Sequence, residues 1–227
     1  MKALVCCLLS LLLMICGILF NELTAQSQSK GGALEGFVPI FDGSSLDGWR
    51  KLTEYSGEKG AWEVVEGVIV GGQYPPGEGG LLVTRKTYSD VEVYAEVKAD
   101  YPLDSGIFLR VQPNVLSYQI TLDYRPEGEV GAVYAPRGGG FLQHCPMGIT
   151  YWHPTEYNKV RVRCVGQPPH IQVWIGDKLV NDYQDTLVDG KPRVPESGMI
   201  GIQVHGGKSW GEGNKVYFRK IMVKELK

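Results

Sequence analysis

From Glu63 onward the chain breaks into short runs in which apolar and polar positions alternate, separated by clusters of Gly, Pro, Asn and Asp. VEVYAEVKA, SGIFLRV, SYQITLDY, KVRVRCV, HIQVWIGDKLV, MIGIQVH and KVYFRKIMV are rich in Val, Ile and aromatic residues, and no long helical period interrupts them. Side chains point alternately to opposite faces of a strand, so such runs predict half-buried strands. Two hairpins are marked by their turns: Glu66-Gly67 inside WEVVEGVIVGG and Gly176-Asp177 inside WIGDKLVNDY. The pattern predicts an all-β sandwich of antiparallel sheets.

The alternation also sorts residues by face. Val91, Val93, Ala95 and Val97 oppose Glu92, Tyr94, Glu96 and Lys98, and Tyr118, Ile120 and Leu122 oppose Ser117, Gln119, Thr121 and Asp123. Ile107 and Leu109 oppose Phe108 and Arg110; Ile171, Val173 and Ile175 oppose Gln172 and Trp174; Ile200, Ile202 and Val204 oppose Gln203 and His205. An antiparallel sheet can meet water with its polar face. These polar faces, however, carry Gln119, Thr121, Asp123, Trp174, Gln203, His205 and Arg110, groups that hydrogen-bond hydroxyls and stack on sugar rings. A curved sheet that gathered them would form a carbohydrate-facing cleft.

The amino terminus is a different kind of segment. MKALVCCLLSLLLMICGILF is a Lys followed by an apolar run, and Ala25 offers a small residue for cleavage, so residues 1–25 predict a secretory signal peptide and a secreted or periplasmic protein. Ile15 before Cys16 does not fit a lipidation signal. Residues 26–36 predict a flexible segment and 37–227 a single sandwich domain. The net charge of −2 offers no groove for nucleic acid and no basic patch for a membrane once the signal is removed. Outside the signal only Cys145 and Cys164 remain. A domain of this size needs no staple, so two separate buried thiols are expected, with a disulfide as the alternative.

FVPIFDGSSLDGW, followed in order by WEVVEGVIVGG, GGLLVTRKTYSDVEVYAEVKA, DSGIFLRV, SYQITLDY, VGAVYAP, EYNKVRVRCVGQPPHIQVWIGDKLVNDY, GMIGIQVHGG and VYFRKIMVKEL, resembles the 3-keto-disaccharide hydrolase domain family over nearly the whole chain after the signal. The resemblance implies a concanavalin A-like jelly-roll sandwich of two curved antiparallel sheets, with a sugar site on the concave side. It also implies cleavage of glycosides already oxidised at C3. The chain departs from that pattern in places. DSGIFLRV is similar to the family's Asn-Ser-Gly-Ile-Phe-Leu-Arg strand, but Gln119 stands where the family has an acidic residue, Thr121 stands where it has Gln, the aspartate of the Gln119 strand falls one place early at Asp123, and Val111 replaces a Gly.

Removing the acidic proton at C2 of a 3-keto-sugar needs a base, an oxyanion partner and an acid for the leaving oxygen. Asp123, Glu96 and His205 are the candidate acids and bases, and Arg110 the candidate oxyanion partner. Gln119, Thr121, Gln203, Tyr134 and Trp174 are candidates for holding the sugar. No cofactor is expected. A divalent ion held by Asp123, Glu96 and His205 is the alternative electrophile. His144, Cys145 and His153 match no zinc spacing, and Gly138-Gly139-Gly140 reads as a flexible loop rather than a phosphate cradle. Asp42 and Trp49 read as a structural clasp. The expected partner is an oxidised disaccharide or other glycoside, and a non-catalytic lectin-like module of the same fold is the competing reading. A laminarinase-type glucanase is set aside, because no Glu-x-Asp-x-x-Glu strand occurs.

Overall fold

The computed structural model describes residues 34–208 and 210–226. The expected signal peptide and most of the expected flexible segment lie outside the described residues. Two compact units divide between Phe37 and Val38. Of the first, residues 34–37 are described, and there the Phe37 amide donates to Leu34 O at 3.1 Å.

The second unit is an all-β sandwich. Its strands are β1 (Val38–Pro39), β2 (Trp49–Lys51), β3 (Ala61–Val65), β4 (Val68–Gly72), β5 (Gly80–Tyr88), β6 (Val91–Ala99), β7 (Leu103–Val111), β8 (Tyr118–Tyr124), β9 (Val130–Ala135), β10 (Gly140–Gln143), β11 (Asn158–Val165), β12 (His170–Ile175), β13 (Lys178–Gln184), β14 (Gly198–Val204) and β15 (Val216–Glu225). One sheet runs β13-β12-β11-β6-β15-β4-β3, with β1 also paired to β15; the other runs β10-β9-β8-β7-β14-β5-β2. Every named pairing is antiparallel.

The apolar series of each strand meets between the sheets. Val91, Val93, Ala95 and Val97 of β6, Val160 and Val162 of β11, and Ile171, Val173 and Ile175 of β12 pack in one cluster with Ile107 and Leu109 of β7, Tyr118, Ile120 and Leu122 of β8, and Ile200, Ile202 and Val204 of β14. Burying these faces is the main driving force for the two-layer arrangement. Both predicted hairpins form with two-residue loops, Val65 pairing Val68 and Ile175 pairing Lys178. Glu66 and Gly67 both take positive φ, 48° and 81°, the twist that a tight antiparallel turn requires.

The opening stretch is a clasp. Asp42 Oδ1 accepts from the amides of Ser44 at 2.7 Å and Ser45 at 2.8 Å, and those amides hold its carboxyl down at about 2. Trp49 is buried, and its indole N–H donates to Ile40 O at 2.7 Å. Cys145 and Cys164 are separate buried thiols, and the Cys145 thiol donates to Val180 O at 3.3 Å. Among the described residues no helix is long and apolar enough to cross a membrane.

Candidate functional site

The outward face of the seven-stranded sheet carries a groove of about 980 Å³. Alternation and register place its floor. Asp104 of β7 lies directly opposite Asp123 of β8, Gly106 opposite Thr121, and Phe108 opposite Gln119, which in turn lies opposite Tyr134 of β9. Gln203 and His205 come from β14 and the residue that follows it. Of the residues expected from sequence, Asp123, Gln119, Thr121, Gln203, His205 and Tyr134 all line this groove.

Three do not. Glu96 and Trp174 belong to β6 and β12 of the other sheet. Glu96 accepts from Arg219 Nε at 2.6 Å, Lys220 Nζ at 2.8 Å and the Tyr94 hydroxyl at 3.2 Å, so its charge is fully used in the sheet. Trp174 lies under the Arg161 guanidinium, 3.8 Å from the ring centroid. Alternation tells inside from outside, but it does not tell which of two outsides a residue faces. Asp123, Glu96 and His205 therefore do not converge as ligands of one ion.

Arg110 departs for a different reason. Phe108 pairs with Gly201 and Val111 with Met199, so β7 advances three residues while β14 advances two. The extra residue is a bulge, and Arg110 takes a positive φ of 55° within it. The parity is broken and the side chain turns away from the groove. It is 1% exposed. There it donates to Gln167 Oε1 at 2.8 Å, Gly166 O at 3.0 Å and Asp90 Oδ1 at 3.2 Å. Its role is a clasp between loops.

Arg125 supplies the cation that Arg110 does not. It continues the Gln119, Thr121, Asp123 series by one more step. Its Nε and Nη2 donate to the two oxygens of Asp123, each at 2.5 Å, and Nη2 reaches Asp104 Oδ2 at 3.4 Å. Two like charges directly across a strand pair repel, and Arg125 offsets that repulsion. Asp104 nonetheless stays perturbed. Burial is the main cause, the Asp123 carboxylate adds to it, and His205 and Arg125 pull the other way. The result is a carboxyl raised from 3.8 to about 6. The His205 ring completes the group. Its Nδ1–H donates to Gly206 O at 2.5 Å, which leaves Nε2 facing Asp104 Oδ2 at 3.8 Å.

The sugar-orienting candidates differ in what they have left to offer. Gln119 Nε2 donates to Gln203 Oε1 at 3.1 Å. This amide pair leaves Gln119 Oε1 and Gln203 Nε2 without a hydrogen-bond partner among the described residues. Gly106 makes room for it, since a Cβ there would stand 2.7 Å from Gln119 Nε2. The Thr121 hydroxyl, by contrast, is already engaged, donating to Glu129 O at 2.7 Å and accepting from the Ala132 amide at 3.1 Å.

Asp104 and Arg125 were not singled out from the sequence, although period two extends to both: Asp104 shares parity with Phe108, and Arg125 with Asp123. His144 lines the groove through Glu129, with Nδ1 to Oε1 at 2.8 Å, and the Cys145 amide donates to Glu129 Oε2 at 2.6 Å. His153 does not line the groove, and its backbone amide donates to Asn158 Oδ1 at 2.7 Å. Among the described residues no three His, Cys, Asp or Glu side chains are grouped to hold a metal ion.

Comparison with known proteins agrees with this architecture. Residues 36–224 match the family described as the 3-keto-alpha-glucoside-1,2-lyase-like domain. No curated protein matches the sequence. Among solved structures, a glycosyl hydrolase-like protein of Parabacteroides distasonis ATCC 8503 shares 21% identity at a TM-score of 0.60, over 85% of this chain and 95% of that one. The carbohydrate-binding module CBM66 of Bacillus subtilis shares 13% at 0.58, over 78% and 96%. The exoplasmic/lumenal domain of VIP36, in its Ca²⁺- and Man3GlcNAc-bound form, shares 14% at 0.57, over 85% and 89%. These are likenesses of fold.

Proposed function

Because the chain belongs to the 3-keto-alpha-glucoside-1,2-lyase-like domain family, we propose that it is an exported enzyme that cleaves 3-keto-glycosides, 3-keto-disaccharides among them, in the groove of the seven-stranded sheet. The observation that carries this reading is a carboxyl raised to about 6 facing an imidazole nitrogen across 3.8 Å. An elimination requires an acid for the leaving oxygen and a base for the C2 proton, and the two groups stand side by side in the groove. The apolar run of residues 1–25 behind Lys2 supports export.

The roles follow from position. A ketone at C3 acidifies the hydrogen at C2. His205 Nε2 takes that proton, and the C–H electron pair forms the enolate. The Arg125 cation and the Gln203 amide N–H lie on the face where negative charge develops on the ketone oxygen. The enolate collapses to a C1–C2 double bond as the C1–O bond breaks, and Asp104 gives its proton to the departing oxygen. Water then adds at C1 and gives a proton to the Asp104 carboxylate, His205 delivers to C2 a proton exchanged with solvent, and a free 3-keto-sugar leaves. Asp123 holds Arg125 in place, and Gln119 with Gln203 orients the ring hydroxyls.

The test is incubation of the mature protein with a 3-keto-disaccharide in D₂O, with and without chelator, following free sugar and deuterium at C2. Prompt release with deuterium at C2 above the non-enzymatic exchange is expected, together with loss of release in Asp104→Asn and His205→Ala. Release without C2 labelling would replace elimination with direct hydrolysis. The second reading is a non-catalytic glycan-binding module, favoured by Gln119, which cannot ionise where the resemblance sets an acid. It predicts glycan affinity with no release.

A further inference from the structure

The groove is far larger than one sugar ring, and its lining changes character along its length. Asp104, Asp123, Arg125, His205 and the amide pair form a polar floor. Tyr134 and Phe141, from β9 and the edge strand β10, and His144 just beyond β10 form an aromatic wall. Phe141 is 47% exposed, yet its ring is held on two sides. The Tyr134 ring meets it edge-to-face at a centroid distance of 5.1 Å, and the His144 ring stacks on it at 4.6 Å and 20°. An aromatic side chain this exposed and this constrained is a ready stacking surface.

Two polar groups beside the wall are already engaged, which leaves the Tyr134 hydroxyl and His144 Nε2 as the wall's own polar atoms facing a ligand. The Glu129 carboxylate spends one oxygen on His144 Nδ1 and the other on the Cys145 amide. The Thr121 hydroxyl is spent on the backbone of Glu129 and Ala132. A second sugar ring brings several hydroxyls that need partners, whereas a planar aryl group brings none. We infer that Tyr134, Phe141 and His144 form a leaving-group subsite for planar aryl aglycones, so that aryl glycosides are preferred over disaccharides in this groove.

The inference rests on the glycoside reading of the polar floor, and binding measurements separate the two. Affinities of methyl glucoside, maltose, 2-naphthyl glucoside and free 2-naphthol are measured by calorimetry and saturation-transfer NMR, on wild type and on Phe141→Ala. Phe141 lies on an exposed edge strand, and thermal melting confirms that the variant is folded. The aryl glucoside is expected to bind about tenfold tighter than methyl glucoside or maltose, the increment of one good aromatic contact. Phe141→Ala removes that advantage and leaves methyl glucoside affinity unchanged. 2-Naphthol alone is expected to bind wild type and to lose its signal in the variant. Equal affinity for aryl and methyl glucosides, or an aryl advantage that survives Phe141→Ala, overturns the subsite while leaving the glycoside reading intact. Phe141-dependent binding of naphthol with no glucoside binding at all sustains the aromatic surface and removes the glycoside reading instead.

Discussion

Replacing Asp104 by Asn tests the electrostatics of the groove through stability rather than turnover. A carboxyl raised from 3.8 to about 6 binds its proton more tightly in the folded state than in the unfolded chain. Folding therefore incurs no penalty from this group below pH 3.8. The penalty grows as pH rises through the window from 3.8 to about 6, and is constant above it. With about 1.4 kcal/mol per pH unit, the native state gives up about 2 kcal/mol at pH 5 and about 3 kcal/mol at pH 8. Asn matches the shape of the protonated acid and carries no charge at either pH. Urea unfolding of wild type and Asp104→Asn at both pH values should show the variant's relative stability increasing by about 1 kcal/mol from pH 5 to pH 8. Release of sugar from a 3-keto-glycoside should be lost in the same variant. A stability difference that does not change with pH, or one that favours Asn more on acidification, would refute the argument. Asp104 would then be an ordinary ionised partner of Arg125 and His205.

Arg110→Ala should cost about 3–5 kcal/mol in chemical denaturation, because it removes a buried guanidinium that donates to Gln167, the Gly166 carbonyl and Asp90, whose Oδ1 then keeps only the Gly166 amide; methyl glucoside affinity of the folded variant should match wild type, and a specific loss of affinity would return Arg110 to the site. Gly106→Ala places a methyl 2.7 Å from Gln119 Nε2 and should weaken glucoside binding about five- to tenfold by displacing the Gln119–Gln203 pair, measured by calorimetry. Tyr118→Phe removes a 2.5 Å hydrogen bond to the buried Asp185 and should lower unfolding free energy by ~1–3 kcal/mol without altering sugar affinity.

The sandwich was legible because burial imposes period two on strands whose other face meets solvent. Each predicted apolar series, from Val91–Val97 to Ile200–Val204, lies in the common core, and both predicted turns close hairpins. The groove was legible only in part. Gln119, Thr121, Asp123, Gln203, His205 and Tyr134 meet in it because neighbouring strands carry them on one face. Glu96 and Trp174 show the same local pattern from the opposite sheet, and strand order depends on long-range pairing that no local window contains. Arg110 fails through a single inserted residue. Parity predicts direction until a bulge resets it, and nothing in Leu109-Arg110-Val111 announces one.

Asp104 and Gln119 are best understood together. The family resemblance sets Asn at the first position and an acidic residue at the second; this chain carries Asp and Gln. Taken alone, Gln119 reads as the loss of an essential carboxylate. On β7 and β8 of the same groove it reads differently, because the acid reappears on the adjacent strand, opposite Asp123 and within reach of Arg125. The new position explains the perturbation. At 104 the carboxyl is mostly buried and shares its surroundings with a second carboxylate, and both conditions favour the protonated form. At 119 an amide instead binds Gln203 and offers one acceptor and one donor to a ligand. On the proposed reading the groove keeps its acidic groups while separating two tasks, proton transfer at one end of the floor and hydroxyl recognition in the middle. A non-catalytic lectin needs only the second, so an Asp104→Asn variant that keeps glucoside affinity and loses sugar release would favour the enzyme, whereas a wild type with no release for the variant to lose would favour the lectin.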